Sequence, residues 1–244
     1  MKKKCCVIGL GYIGLPTSIV TASAGFDVIG VDKNKNIIEG LNNGIVHILE
    51  PNLKEEFDKV IENKFFKAQT KPTEADIFII AVPTPFKKRN NTDPKPDISF
   101  VINAVESIIP FLRKDNLVIL ESTSPVGTTD LIADMIFKKT NLKNNEVKVA
   151  YCPERVLPGN ILNEIKLNDR VIGGINKESA LSAKKFYSHF CEAKYSLTNT
   201  KTAELVKLTE NAYRDVNIAF ANEMSIICDN LDVDVFELIK LANR

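Results

Sequence analysis

Six residues near the amino terminus constrain the fold of this chain more than any others. "GLGYIG" (Gly9 to Gly14) follows the apolar run "KCCVIGL" and opens the helical pattern "YIGLPTSIVTASAG". The G-x-G-x-x-G spacing alone is a weak signal. Here it lies between a buried strand and a helix, and Asp32 ends the next strand, "FDVIGVD". That context is what a dinucleotide-binding βαβ unit requires. Gly9 permits the tight turn, Gly11 lets the backbone approach a pyrophosphate, and Gly14 lets helix and strand pack closely. Free N–H groups and the dipole at the helix start stabilise phosphate charge. Asp32 would accept hydrogen bonds from the adenosine ribose hydroxyls and repel the extra phosphate of NADP, so the expected cofactor is NAD.

The pattern continues downstream. "IFIIAVP", "LVILEST" and "VKVAYCP" are three more short apolar runs ending in polar or turn-forming residues, with helical patterns such as "DISFVINAVESIIPFL" and "TTDLIADMIFKKT" between them. The alternation predicts an α/β fold, a Rossmann-like doubly wound parallel sheet with helices on both faces. Ligands in such sheets bind beyond the carboxyl ends of the strands. That singles out "AVPTP", "ESTSPVGTT" and "YCPERVLPG", and makes Thr84 and Thr123 candidates for contact with cofactor or substrate. Spacing alone equally allows them turn and capping roles. "FKKRNNTDPKPD" reads as a polar, mobile loop.

From Thr198 to Leu231 there is no glycine or proline, which predicts one long helix starting near Asn199. A shorter helix, "DVFELIKLA", follows with Asp234 as its cap. The expected division is an NAD-binding domain over 1–197 and the truncated start of a central helical domain over 198–244. On the long helix Lys207, Asn211 and Arg214 fall at i, i+4 and i+7, on one face. A lysine, an amide and a guanidinium so aligned suit an anionic or hydroxyl-rich ligand. The plainer reading is a solvated face, but Ile218 and Ala221 follow on the same side, and a polar patch in an apolar setting points to a pocket. The apolar surface of "IAFANEMSIICDNL" is expected to pair with a partner.

The net charge of +1 suggests neither a nucleic-acid nor a membrane partner. The basic, then apolar start is broken by glycines and Pro16 and shows no small-residue cleavage site, so it does not read as a secretory signal. Five cysteines, at spacings that fit no zinc or disulfide pattern, indicate a reduced, cytoplasmic protein without a metal site. In "YCPER", Cys152 beside Glu154 and Arg155 looks at first like an activated nucleophile.

The ordered motifs "GLGYIGLP", "HILEP", "AVPTPF", "LESTSPVGTT", "YCPERVLPG", "NDRVIGG", "KLTENAYRDVNIAFANE" and "LIKLANR" resemble the UDP-glucose/GDP-mannose dehydrogenase family over nearly the whole chain. "PERVLPG" is similar to the branch acting on N-acetylhexosamines; Pro158 stands where the UDP-glucose branch has a second glutamate, whose role is not carried over. The resemblance implies oxidation of the 6-hydroxyl of UDP-N-acetyl-D-mannosamine to a carboxylate. Two hydride transfers to NAD pass through a thioester, for surface polysaccharide biosynthesis by a homodimer. Alternatives are a related UDP-hexose or UDP-N-acetylglucosamine 6-dehydrogenase, a two-electron hydroxyacid dehydrogenase built on Lys207 and Asn211, and a non-catalytic NAD-binding module. Carried over by motif, Tyr12, Ile13, Asp32, Thr84 and Thr123 contact NAD, and Arg155, Val156, Lys207, Asn211 and Arg214 hold the nucleotide sugar. Lys207 transfers a proton or stabilises the oxyanion, and Glu154 positions water for thioester hydrolysis. The plain alternative for Glu154 is an ion pair with a neighbouring Arg or Lys. The resemblance places the nucleophilic cysteine in a glycine-rich segment after "LANR". Cys152 is therefore expected to be structural, and these residues alone are not expected to complete the oxidation.

Overall fold

The computed structural model of the chain describes residues 3–87 and 94–243. The first part of the chain builds one sheet. β1 (Lys4–Ile8), β2 (Asp27–Val31), β3 (Phe66–Gln69), β4 (Ile77–Ile80), β7 (Leu117–Leu120) and β8 (Lys148–Tyr151) run parallel in the order β3-β2-β1-β4-β7-β8. This is the doubly wound order, with its reversal between β1 and β4. The central strands "IFII" and "LVIL" are buried at every position, as strands covered on both faces require. Alternate side chains feed two cores. Cys5 and Val7 of β1 join Leu15, Ile19 and Phe57 on one face; Cys6 and Ile8 join Val101, Val105 and Ile132 on the other.

The helices over these cores include α1 (Gly14–Ser23), α3 (Leu53–Glu62), α4 (Ser99–Ile108) and α5 (Thr128–Lys139), with α2 (Lys35–Asn42) beside them. A 3-10 turn at Ile109–Phe111 follows α4. β5 (Phe86–Lys87) and β6 (Lys95–Pro96) pair as a short antiparallel ribbon. The polar loop expected there thus has paired ends, and its middle, 88–93, lies outside the described residues.

The sheet departs from the expected parallel pattern at one edge. After α6 (Ile161–Leu167), β9 (Arg170–Gly174) joins β8 antiparallel, and after α7 (Lys177–Tyr187), β10 (Tyr195–Asn199) joins β9 parallel. The pairing of β8 with β9 is short, Ala150 with Gly174 and Tyr151 with Gly173.

α8 (Thr200–Leu231) is the long helix, and the Asn199 side chain accepts from the Thr202 N–H at 2.9 Å at its start. α9 (Val235–Ala242) begins where Asp234 accepts from the Phe236 N–H at 2.8 Å, the cap expected from sequence. The chain forms two compact units, one through Leu205 and one from Val206 onward. No helix among the described residues is long and apolar enough to cross a membrane.

Candidate functional site

The glycine loop joins β1 to α1 at the point where the strand order reverses. Gly9 has φ +95°, and a Cβ there would lie 2.6 Å from the Ala81 carbonyl oxygen; at Gly14 it would lie 1.8 Å from that of Gly9. Both positions exclude a side chain. Gly11 differs: a Cβ there would meet nothing within 4 Å, so the loop presents an open face. α1 starts without a side-chain cap and without an acidic residue in its first turn. Its N-terminal amides and dipole therefore suit a phosphate. The Asp32 carboxylate accepts from the N–H groups of Leu10 and Asn34, each at 2.9 Å, and locks the loop onto the end of β2. Tyr12 is exposed and donates to Glu50; Ile13 is half-buried against the core. The open face, the uncapped helix start and the acid at the β2 end fit a dinucleotide.

The loops after β4 and β7 lie side by side. Thr84 Oγ1 donates to the Thr123 carbonyl at 2.6 Å, and Ser122 Oγ donates to the Val82 carbonyl at 2.7 Å. The structure thus brings Thr84 and Thr123 together next to the glycine loop's strand. Arg155 and Val156, on the loop after β8, are half-buried. Arg155 Nη1 donates to the Asp169 carbonyl at 3.2 Å, and Val156 packs against the core.

Behind these loops is a buried polar cluster. Glu154, 6% exposed, lies 3.0 Å from Nη1 of Arg170, which is 3% exposed. Glu154 therefore occupies an ion pair with Arg170 in this structure. Arg170 Nη2 also donates to the Ile165 carbonyl at 2.8 Å, and the guanidinium sits 4.3 Å from the centre of the Tyr187 ring. Tyr187 donates to Glu121 at 2.7 Å, and Thr17 Oγ1 donates to the same carboxyl at 3.2 Å. Burial and the nearby Glu154 push the Glu121 carboxyl up to about 7. Two enclosed carboxyls share one guanidinium, and the cluster is neutral when Glu121 keeps its proton.

Cys152 follows β8 fully buried, with Arg170 Nη1 at 3.8 Å from its sulfur. Burial pushes its thiol up to about 12 despite that guanidinium, so it packs as a small apolar group. All five cysteines are free and buried.

Lys207, Asn211 and Arg214 belong to the second unit. Lys207 and Asn211 are half-buried and Arg214 is exposed on α8. A separate cleft of about 620 Å³ opens at the amino ends of β1, β4, β7 and β8, the pole opposite the glycine loop. Its charges include the pairs Arg113–Asp76 at 3.0 Å and Lys148–Asp115 at 2.6 Å, and the strand-end rule places ligands at the other pole.

Sequence reasoning did not single out Glu50, Glu121, Arg170, Tyr187 or Glu204. Glu50 and Glu121 stand inside quoted motifs, "HILEP" and "LESTSPVGTT", and their positions at loop entries were the available signal. Arg170 opens a strand that its polar start conceals.

Residues 3–191 match the sequence profile of the UDP-glucose/GDP-mannose dehydrogenase family, NAD binding domain, and residues 201–244 match that family's central domain. The UDP-N-acetyl-D-mannosamine dehydrogenases of Campylobacter jejuni and Escherichia coli are 51% and 49% identical to the chain. Those matches cover 99% and 98% of it, and 60% and 58% of their own lengths. The solved UDP-D-ManNAc dehydrogenase of Pyrococcus horikoshii superposes with a TM-score of 0.92 at 40% identity over 98% of this chain and 57% of that one. The native UDP-N-acetyl-mannosamine dehydrogenase of Staphylococcus aureus superposes with 0.89 at 46%, over 98% and 58%. The chain thus spans about three fifths of the length of these relatives. The profile assigns NAD as the cofactor of the first domain, in agreement with the glycine loop and Asp32. The chain belongs to the UDP-glucose/GDP-mannose dehydrogenase family.

Proposed function

We propose that these residues serve the NAD-dependent oxidation of the 6-hydroxyl of UDP-N-acetyl-D-mannosamine to UDP-N-acetyl-D-mannosaminuronate, a precursor for surface polysaccharide. The observation that carries this reading is identity of about one half to UDP-N-acetyl-D-mannosamine dehydrogenases along almost all of the chain. NAD, when bound, supplies the hydride acceptor. The open face at Gly11 and the uncapped start of α1 receive the pyrophosphate, flanked by Tyr12 and Ile13, and Asp32 receives the ribose hydroxyls. Thr84 and Thr123, fixed to each other, line the cofactor beyond β4 and β7. Arg155 and Val156 hold the nucleotide sugar, as do Lys207, Asn211 and Arg214. Lys207 takes the proton from the 6-hydroxyl or stabilises the oxygen as charge develops, on the chemistry of its ammonium. Glu154, kept in place by Arg170, positions water for the hydrolytic step.

The reading includes a cofactor domain over 1–197, the opening of a central domain from 198, and a cytoplasmic homodimer. It is tested by NADH formation from NAD with UDP-N-acetyl-D-mannosamine or UDP-glucose when these residues are joined to the segment that carries the nucleophilic cysteine, with and without Lys207→Ala. The N-acetylated sugar is expected to be preferred, and Lys207→Ala to slow NADH formation by about 10²-fold or more. Equal use of UDP-glucose would overturn the substrate assignment. Unchanged turnover in Lys207→Ala would overturn the role of the lysine.

A further inference from the structure

The segment between α2 and α3 reaches the glycine loop at two points. His47 Nε2 lies 2.9 Å from the Leu10 carbonyl, which can only accept, so the imidazole donates there. Glu50 accepts from the Tyr12 hydroxyl. The same carboxylate also accepts from a loop more than a hundred residues away: the Gly159 N–H lies 2.9 and 3.1 Å from its two oxygens, and the Ile161 N–H lies at 3.5 Å. A carboxylate offers about four acceptor positions, enough for all three donors. The backbone fixes where this carboxylate points. Pro51 and Asn52 form the middle of a turn closed by the Leu53 N–H on the Glu50 carbonyl at 3.3 Å, and Asn52 takes φ 61°, a conformation asparagine tolerates. The bond to Glu50 holds the Tyr12 phenol up at about 12, and the same bond holds the Glu50 carboxyl low.

We infer that Glu50 is a positioning residue that couples the glycine loop to the loop after β8, so that a nucleotide seated on the first reorganises the second. The part of this inference that involves a nucleotide rests on the NAD-binding reading of the glycine loop. Tyr12 stands next to Gly11, on the face left open for the cofactor, while Gly159 and Ile161 follow Arg155 and Val156 in the loop assigned to the nucleotide sugar. One carboxylate holds donors from both. Any ligand that turns Tyr12 changes the acceptor available to Gly159, and by linkage order at Gly159 feeds back on Tyr12 with the same free energy. The buried pair of Glu154 and Arg170 anchors the start of the second loop, so its far end around Gly159 is the part free to respond.

Backbone amide exchange at Gly159 and Ile161 tests the coupling. Without nucleotide, Glu50→Ala is expected to speed exchange at both amides by about tenfold. Tyr12→Phe removes a hydroxyl that also meets the Gly159 N–H, so Ile161, whose N–H goes to Glu50, isolates the path through the carboxylate. Exchange at Ile161 is expected to speed several-fold in Tyr12→Phe, and the double variant to match Glu50→Ala alone. Saturating NADH is expected to change exchange at Ile161 in the protein but not in Glu50→Ala. The coupling is overturned if Tyr12→Phe leaves Ile161 at its original rate, if the effects of the two variants at Ile161 simply add, or if the NADH response at Ile161 survives in Glu50→Ala. A fluorescence titration with NADH reports separately on the cofactor site. If NADH does not bind, the cofactor reading fails, while the nucleotide-free comparison of Tyr12→Phe with Glu50→Ala still decides the coupling.

Discussion

Glu121 is enclosed by groups from five surrounding elements: Cys5 of β1, Thr17 of α1, Cys152 and Glu154 after β8, Arg170 of β9 and Tyr187 of α7. Burial is the largest cause of its raised carboxyl pKa and the charge of Glu154 the next, while Arg170, Tyr187 and Thr17 pull the other way. The consequence for stability has a definite sign. Below the ordinary value of 4.5 the carboxyl is protonated whether the chain is folded or not, and it adds no pH dependence. Between 4.5 and about 7 the unfolded chain releases the proton and the folded chain keeps it, so stability falls as pH rises. Above about 7 the loss is complete. Glu121→Gln keeps an acceptor for Tyr187 and removes the titration. Urea unfolding is therefore expected to show the original protein losing stability relative to Glu121→Gln as pH rises through that window, by on the order of a few kcal/mol. A difference that stays flat with pH would contradict the assignment. At this scale the sequence was half legible. That Cys152 is structural could be argued from its place at a strand end. That its guanidinium neighbour is Arg170 and not the adjacent Arg155 could not, because only the pairing of β8 with β9 brings Arg170 there.

Among the elements, the first turn of α8 shows how a helix foot can serve a second helix. α5 begins at Gly127, with φ +95° and no side-chain cap of its own. Glu204, fully buried, supplies the missing acceptor. It accepts from the Gly127 N–H at 2.6 Å, the Thr129 N–H at 2.7 Å and the Thr129 hydroxyl at 2.6 Å. Thr200 adds a hydrogen bond to Asp130 at 2.6 Å. Glu204→Ala leaves buried donors without partners, and is expected to lower unfolding free energy by about 2–4 kcal/mol in urea titration. A change below about 0.5 kcal/mol would show that water or a shifted side chain replaces the cap. The long helix itself was readable from its lack of glycine and proline and from Asn199, and α9 from Asp234. β3, β9 and β10 were not read as strands. "FKAQ" alternates over only four residues, "RVIGG" starts with a charge and ends in glycines, and "YSLTN" is largely polar at the sheet edge.

For the whole molecule, the parallel half of the sheet follows from buried apolar strands spaced by helices, and it delivers the loops after β1, β4, β7 and β8 to one pole. The antiparallel joint at β9 has no comparable periodic signal. It matters because it carries Arg170 beneath the loop that holds Glu154. In the second unit, from Val206, Lys207, Asn211 and Arg214 lie along one helix face, and the role proposed for them rests on helical spacing and family likeness. The first unit rests on geometry that a single substitution can probe. A side chain at Gly11 meets no protein atom within 4 Å, so Gly11→Val is expected to fold normally while filling the space a pyrophosphate needs. Titration of the chain with NADH, followed by fluorescence, is the most direct test of the account. It predicts saturable NADH binding that is tighter than NADPH binding and weakened about tenfold or more in folded Gly11→Val. Absence of NADH binding, or NADH binding unchanged in Gly11→Val, would contradict it.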